Sequence, residues 1–472
     1  MAVSVVGTRI SAIALPWFVL STTGSATRAG LVAFAEMTPY VLVKAFTGPL
    51  VDRAGPRTVS WTTDLVSAAA AVAVPVLHHL DALPLWLLLA LVAVIGAARG
   101  PGDLAKEVLI PEAAERGAVP LERASGLAGV TERLASTLGP AAGGALIAVT
   151  GPMAGLAVNA VCFAAGSLII AVTLPRGMGR GTALPGEHPG TESGTESGAR
   201  SGTGSGTESG TRSGAGLRTG SGAGKGVEAG YWRRFGEGFA FLRGDRLLLT
   251  LSGMIAVTNL LASGFGTVLL PVWAKESGNG PATIGLLAAT GGVAAIGAGL
   301  IASAVAHRMP RRPVFFVGFL CAGAPRFVVL ASGAPMWVVL AVFLVDGFGS
   351  GFLNPILGAI RYERVPRPLL GRVSALVASL AWAGIPLGGL IAGAAVTAFG
   401  LAPVLLAGGT AYFLTTTLTG LRPEWREMDR SRDRTGRSPE PEERRGGPPR
   451  ARGEVPGPGP AGTPGPRPGP GR

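Results

Sequence analysis

The sequence predicts an all-α integral membrane protein of twelve transmembrane helices, built as two six-helix halves. Three observations lead there. Of 472 residues, 48% are hydrophobic and 15% charged, with a mean hydropathy of +0.43, which is more apolar surface than one soluble core buries. Apolar stretches of the roughly 20 residues that a crossing helix needs recur from the first residues to about position 421. Basic residues gather in alternate loops between them, as in a chain threaded back and forth with its positive loops on one side. Runs such as Leu83 to Ala98 and Ile284 to Val305 are almost continuously apolar, whereas barrel strands would alternate over segments of about 10 residues.

The first stretch covers about 2–22 and ends in Thr22, Thr23, Gly24 and Ser25 without a small-residue cleavage pattern, so it is a retained span and not a signal peptide. Gly, Pro and charge punctuation then sets spans at about 29–51, 57–77, 84–104, 124–149 and 153–175. A second series follows at about 247–273, 281–306, 313–332, 335–360, 371–398 and 401–421, which gives the halves 1–176 and 231–421. Between them, residues 177–230 are rich in Gly, Ser, Thr and Glu, with Thr-Glu-Ser-Gly at 191–194 and again at 195–198, and are expected to be a disordered, flexible linker. Residues 231–245 interleave Trp232, Phe235, Phe239 and Phe241 with Arg233, Arg234 and Arg243, which predicts an amphipathic surface helix leading into the seventh span. Residues 422–472 are charged and Pro/Gly-rich and are expected to be a disordered tail.

The net charge of +13 and pI near 10.9 arise from short loops and polar tails, so they report membrane threading and not nucleic-acid binding. One set of loops holds Arg53 and Arg57; Lys106, Arg116 and Arg123; Arg176 onward; Arg308, Arg311 and Arg312; and Arg361, Arg364, Arg367 and Arg372. The other set holds Arg28 and Lys275 against Asp81 and Glu276. The first set is expected in the cytoplasm, together with both termini, in a multi-pass protein of the cell membrane.

Cys162 and Cys321 stand singly in apolar spans and read as apolar filler. There is no GxxxxGKS/T phosphate loop, and His78, His79, His188 and His307 have no partners at metal-ligand spacing. The sequence therefore points away from an enzyme, from an ATP-driven pump and from any metal or cofactor. Work across the membrane would draw on a gradient. A proton crossing 150 mV releases about 3.5 kcal/mol and one pH unit adds about 1.4, enough for a substrate gradient of order a thousandfold.

The loop after the second span reads Gly48-Pro-Leu-Val-Asp52-Arg53-Ala-Gly55-Pro-Arg57. Its glycines permit a tight turn and close helix approach, Asp52 offers a carboxylate to a helix N-terminus, and the arginines hold the cytoplasmic side. In the fifth span, Leu138-Gly139-Pro140-Ala-Ala-Gly143-Gly144 supplies small residues for close packing and a proline that bends the helix. Taken alone, these residues fit ordinary packing as well as a functional bend. The eleventh span echoes them as Gly384-Ile-Pro386-Leu-Gly388-Gly389, preceded by Arg364-Val-Pro-Arg-Pro-Leu-Leu-Gly371-Arg372-Val. The same element in the fifth span of both halves is the internal repeat that transporter folds use.

On these residues the chain resembles the major facilitator superfamily over nearly its whole length apart from linker and tail. It is most similar to the siderophore and macrolide exporter branch, through Ala14-Leu-Pro-Trp17, Thr23-Gly-Ser25, the latch loop and the Val365 to Val373 segment. The resemblance implies two six-helix bundles around a central cavity, a conformational latch at residues 48–57, an antiporter element in the fifth span and action as a monomer. It also implies proton-coupled efflux of a small amphipathic or polyaromatic compound, such as an antibiotic, siderophore or secondary metabolite. Three departures stand out. Pro56 replaces the family's basic residue, which is expected to weaken the latch. The second-half copy, Ala306-His307-Arg308-Met-Pro-Arg311-Arg312, lacks the acid. Members of the family begin several residues earlier than Met1, so the first helix is expected to extend upstream. Nutrient uptake, and a membrane sensor or assembly factor that moves nothing, remain open as other readings.

An ionisable group at the bilayer centre costs roughly 2.5 to 3.5 kcal/mol, so each one present is a functional candidate. Glu36 is the sharpest, about seven residues or about 10 Å inside the second span, where similar exporters carry a neutral residue. It is expected to bind a proton in one conformation and release it in the other, unless Tyr40 or Arg9 simply satisfies it. Arg9 is a candidate for attracting an anionic substrate or neutralising Glu36. Lys44, about 80° around the helix from Glu36, is expected to snorkel, and Arg326 stands alone in the ninth span. Asp103, near the cytoplasmic end of the fourth span, and Asp346 in the tenth are further proton or cation candidates. Asn159 and Asn259 could donate hydrogen bonds to substrate, and Glu132 and Arg133 are expected to stabilise the end of the fifth span.

Overall fold

The computed structural model describes residues 2–175, 236–305, 309–366 and 369–426. The linker 177–230, the start of the surface helix at 231–235, the copied motif at 306–308 and the tail from 427 lie outside them. Among the described residues there is no strand. Among the described residues eleven helices are long and apolar enough to cross a membrane. In the first half these are Ala2–Thr23, Ala26–Phe46, Pro56–His79, Leu85–Arg116 and Pro152–Thr173. The second half contributes Arg246–Glu276, Gly280–Ala302, Arg311–Ala331, Met336–Arg364, Val373–Phe399 and Leu401–Gly420. A further helix, Leu121–Thr150, fills the fifth position; its 30 residues exceed a hydrocarbon core of about 30 Å, and its Gly, Ser, Thr and Pro residues dilute its apolar character. The twelve are numbered here as spans in chain order.

Successive spans alternate in direction. The Gly48–Arg57 loop marks one end of the bundle, the latch end. At the opposite, far end every hairpin between spans turns through a left-handed residue: Gly24, Asp81, Gly151, Gly278 with Gly280, Gly333 and Gly400. Five of these turns use glycine, which pays no Cβ penalty there.

Within the first half the first span packs on the fifth and sixth, the third on the fourth and sixth, and the second on the fourth. In the second half the eighth span packs on the tenth, the ninth on the tenth and twelfth, and the seventh on the eleventh. The halves meet where the second span crosses the eleventh and the fifth crosses the eighth. The two repeated glycine elements build these crossings in the same way. A Cβ on Gly139 or Gly143 would strike Arg9 or Ile10 of the first span, and one on Gly144 would strike Pro281 and Gly285 of the eighth. A Cβ on Gly384 or Gly388 would strike Leu260 of the seventh, and one on Gly389 lies against Ala33 of the second. Each fifth-position helix thus spends two glycines on its own half and one on the other.

Several expectations change. The fourth span runs on to Arg116, so Asp103 lies well inside it and Lys106 is a buried helical residue and not a loop residue. The seventh span contains a π-turn at Phe265–Leu269. The ninth is interrupted at Ala322 and Gly323, where a Cβ would fall on the Tyr412 ring. The eleventh breaks between Ala383 and Ile385, because Pro386 has no N–H to offer the Trp382 carbonyl. Residues 236–244 are helical, with Leu242 buried. The tail also begins later than expected: Pro423–Arg426 forms a short 3-10 turn that buries Trp425 completely against Phe315, ring centroids 5.4 Å apart.

Candidate functional site

Glu36 and Arg99 form the centre of the first half. The Arg99 guanidinium donates to the Glu36 carboxylate at 2.7 Å, with the two side chains 12% and 13% exposed. The second and fourth spans approach closely because Gly96, one turn before Arg99, has no side chain; a Cβ there would strike the Glu36 backbone. This corrects the expectation that Tyr40 or Arg9 satisfies Glu36. The second span turns Glu36 toward the fourth and away from the first, and Arg9 instead reaches Glu132 of the fifth span at 3.9 Å.

Around this pair lies a network. Arg99 Nε is 3.8 Å from Asp103, and Tyr40 donates its hydroxyl to Asp103 at 3.3 Å. The guanidinium also lies 4.5 Å from the centre of the Tyr40 ring. One turn toward the latch end, Lys44 donates to Glu107 at 3.3 Å. Trp382 of the eleventh span stacks on Tyr40, centroids 6.2 Å apart and planes 20° apart. An acid and a base this well shielded hold each other's charge, and neutralising the acid would free the arginine to turn to Asp103.

A second pair went unnoticed in the sequence. Lys106 donates to Asp64 at 2.7 Å and Ser4 donates to its other oxygen at 3.2 Å, all three buried. In the second half Arg326 is not alone: it lies 3.6 Å from Asp346 of the tenth span and 4.6 Å from the centre of the ring of Phe265, which opens the π-turn.

The remaining candidates separate. Asn159 is 1% exposed, inside the first half against Gly7. Asn259 donates to the Ala381 carbonyl at 3.0 Å, at the break in the eleventh span. In the latch loop, Gly48–Ala54 forms a short helix, Gly55 turns with φ 82° and Pro56 takes the first position of the third span, where proline is well suited. Arg57 donates to the carbonyls of Leu174 and Ala171 at 2.8 and 2.6 Å, closing the end of the sixth span. Arg53 is exposed, and the Asp52 side chain lies outside the described set.

At the far end the halves are tied by polar contacts. Thr27 donates to the Gly393 carbonyl at 3.2 Å and shares a 2.7 Å hydrogen bond with Thr397. Lys275 donates to the Leu20 carbonyl at 2.5 Å.

Comparison with known proteins gives the family of the chain. Residues 249–455 match the family described as Major Facilitator Superfamily, and residues 1–192 the one described as Transmembrane secretion effector. The Multidrug efflux pump Tap of Mycobacterium tuberculosis is 31% identical over 434 residues, covering 90% of this chain and 91% of its own. The chain belongs to the major facilitator superfamily. It is therefore a facilitator, a membrane transporter and not an enzyme. Tap of Mycolicibacterium fortuitum is 29% identical over 431 residues, covering 90% of this facilitator and 94% of its own chain. Among solved structures, the nucleoside transporter NupG superimposes with a TM-score of 0.60 at 12% identity, over 88% of this chain and 96% of that one. A bacterial homologue of the lysosomal transporter Spinster, inward-facing and unoccupied, gives 0.64 at 13% identity over 91% and 95%. These two likenesses establish the facilitator fold.

Proposed function

We propose that this facilitator is a proton-coupled exporter of small amphipathic, drug-like molecules in the cell membrane, acting as a monomer with its latch end and both termini in the cytoplasm. The observation that supports it most is the Glu36–Arg99 pair, 2.7 Å long and shielded from water on the second and fourth spans. When Glu36 is ionised the pair holds these spans together. When a proton neutralises Glu36, Arg99 keeps only its longer contact with Asp103 at 3.8 Å, and the second span, which crosses to the other half, is released. Proton binding thereby biases the rocking of the halves, and substrate leaves as the proton enters.

Sidedness rests on charge. Arg53, Arg57, Arg116 and Arg123, with Arg311, Arg312, Arg361 and Arg364, cluster at the latch end, which the positive-inside rule assigns to the cytoplasm. With that orientation, the far-end ties through Thr27 and Lys275 close the outer side. The substrate class follows the Tap pumps, named as multidrug efflux pumps.

The test is accumulation of a panel of fluorescent dyes and antibiotics in inverted membrane vesicles under an imposed pH gradient. Wild type should accumulate at least one compound in a gradient-dependent way, and Glu36→Gln should lose that dependence while still allowing downhill movement. Equal gradient-driven accumulation by Glu36→Gln would remove Glu36 from the coupling. No accumulation of any compound by wild type would overturn export.

A further inference from the structure

We propose that Trp382 is a positioning residue for the Glu36–Arg99–Asp103 cluster: acting through Tyr40, the second half of the protein holds the geometry of a charge site built by the first. The inference rests on the proton-coupled reading above and extends it to a residue that touches none of the ion-pairing atoms of Glu36, Arg99 and Asp103.

Tyr40 is the hinge of the contact. Its hydroxyl donates to Asp103 at 3.3 Å, its ring lies 4.5 Å from the Arg99 guanidinium, and Trp382 of the other half stacks on that ring at 6.2 Å. Lys44 stands beside both rings, 5.7 Å from the Tyr40 centroid and 5.4 Å from that of Trp382, with its ammonium held by Glu107. Two rings and a shared cation make this a directional contact and not generic apolar packing.

The indole is itself held from behind. Pro386 leaves the Trp382 carbonyl without its helical donor, and the eleventh span breaks at Gly384. Two side chains of the seventh span clasp the break: Asn259 donates to the Ala381 carbonyl at 3.0 Å, and Ser263 donates to the Ile385 carbonyl at 2.8 Å. Trp382 is thus presented from a fixed point of the second half onto a tyrosine that serves the first.

The charged and titratable groups around the cluster are Glu36, Tyr40 and Lys44 of the second span and Arg99, Asp103 and Glu107 of the fourth. Arg9 of the first span and Glu132 of the fifth complete them. The eleventh span contributes the uncharged Trp382. Its influence therefore passes by placing the Tyr40 hydroxyl. Rocking of the halves must change this stacking, so cluster geometry and conformation are linked at one residue pair.

The experiment follows the melting temperature of the purified full-length protein in detergent from about pH 3 to pH 9, a range that reaches below the free carboxylate value. A group whose proton affinity depends on folding leaves a step in such a curve. Wild type should show a step that Glu36→Gln flattens. Trp382→Ala should move the midpoint of the step by about half a pH unit or more, and Trp382→Phe, which restores a ring, should bring it back. The double variant Tyr40→Phe with Trp382→Ala should move it no further than Tyr40→Phe alone. If Trp382→Ala does not fold, Trp382→Leu, which fills the space without a ring face, is judged by the same criteria. A Trp382→Ala curve that superimposes on wild type, in a step that Glu36→Gln abolishes, overturns the inference and leaves the proton site standing. Additive shifts in the double variant overturn the route through Tyr40. A flat wild-type curve overturns the proton site and this inference with it.

Discussion

The Lys106 ammonium lies 2.7 Å from the Asp64 carboxylate, with side chains 5% and 3% exposed, and Ser4 completes the node from the first span. Three helices of the first half are pinned at one point where neither charge meets water. Such a pair is costly to break from one side, because the survivor is left buried and unpaired.

Asp64→Asn and Lys106→Met should therefore each destabilise the protein by about 3–5 kcal/mol. The double variant Asp64→Leu with Lys106→Met, which removes both charges, should recover most of that loss. Melting of the purified protein reads all three. A double variant no more stable than the worse single would show that the pair acts by something other than mutual neutralisation.

Gly144 tests the crossing between the halves. A Cβ there would stand 2.7 Å from the Pro281 carbonyl oxygen and 2.9 Å from the Gly285 Cα, both backbone atoms with nowhere to go. Gly144→Val should cost about 1–3 kcal/mol against this closed packing, a roughly 5- to 150-fold shift toward states in which the fifth and eighth spans part. Transport should slow and labelling of a cysteine placed at Thr23 by an impermeant reagent should rise. Gly253→Val, where a Cβ meets nothing within 4 Å, is the control and should change neither.

Trp425 closes the latch end of the second half from just beyond the twelfth span, fully buried against Phe315. Trp425→Ala should cost about 3–5 kcal/mol of stability, and Trp425→Phe much less. Melting curves of the two variants check it; equal losses would mean that the ring is not what fills the space.

Hydropathy and Gly/Pro punctuation are local signals, which is why the spans, apart from the continuation of the fourth to Arg116, and the Gly48–Arg57 loop were legible in the sequence within a few residues. Glu36 was legible too, as an acid deep in an apolar run. Its partner was not, because depth along a helix says nothing about which neighbour a face meets. The clue to Arg99 was its setting between Gly96 and Gly100, two small residues one turn apart that let the second span come close. Lys106 was misread as a loop residue because charge normally ends a span; Asp64, flanked at helical spacing by the buried Ser60 and Ser67, marked the polar face that accepts it. Arg326 looked solitary for the same reason, its acid lying 20 residues on in another helix. Asn259 drew attention as a polar residue in a membrane span, and its use is to hold a helix break that only Pro386, 127 residues away, makes necessary.

Lys275 ties the far end. Its ammonium reaches from the seventh span to the Leu20 carbonyl in the last turn of the first, where the helix dipole favours a cation. This contact joins the halves on the side opposite the latch, and it must break before that side opens. Lys275→Met should remove about 0.3–1 kcal/mol from the closed far end, a roughly two- to fivefold population shift. Labelling of a cysteine placed at Thr23, in the last turn of the first span, should quicken by that factor, and Lys275→Arg should keep most of the protection. Unchanged labelling in Lys275→Met would show that the Thr27 contacts and the glycine crossings hold the far end shut without it.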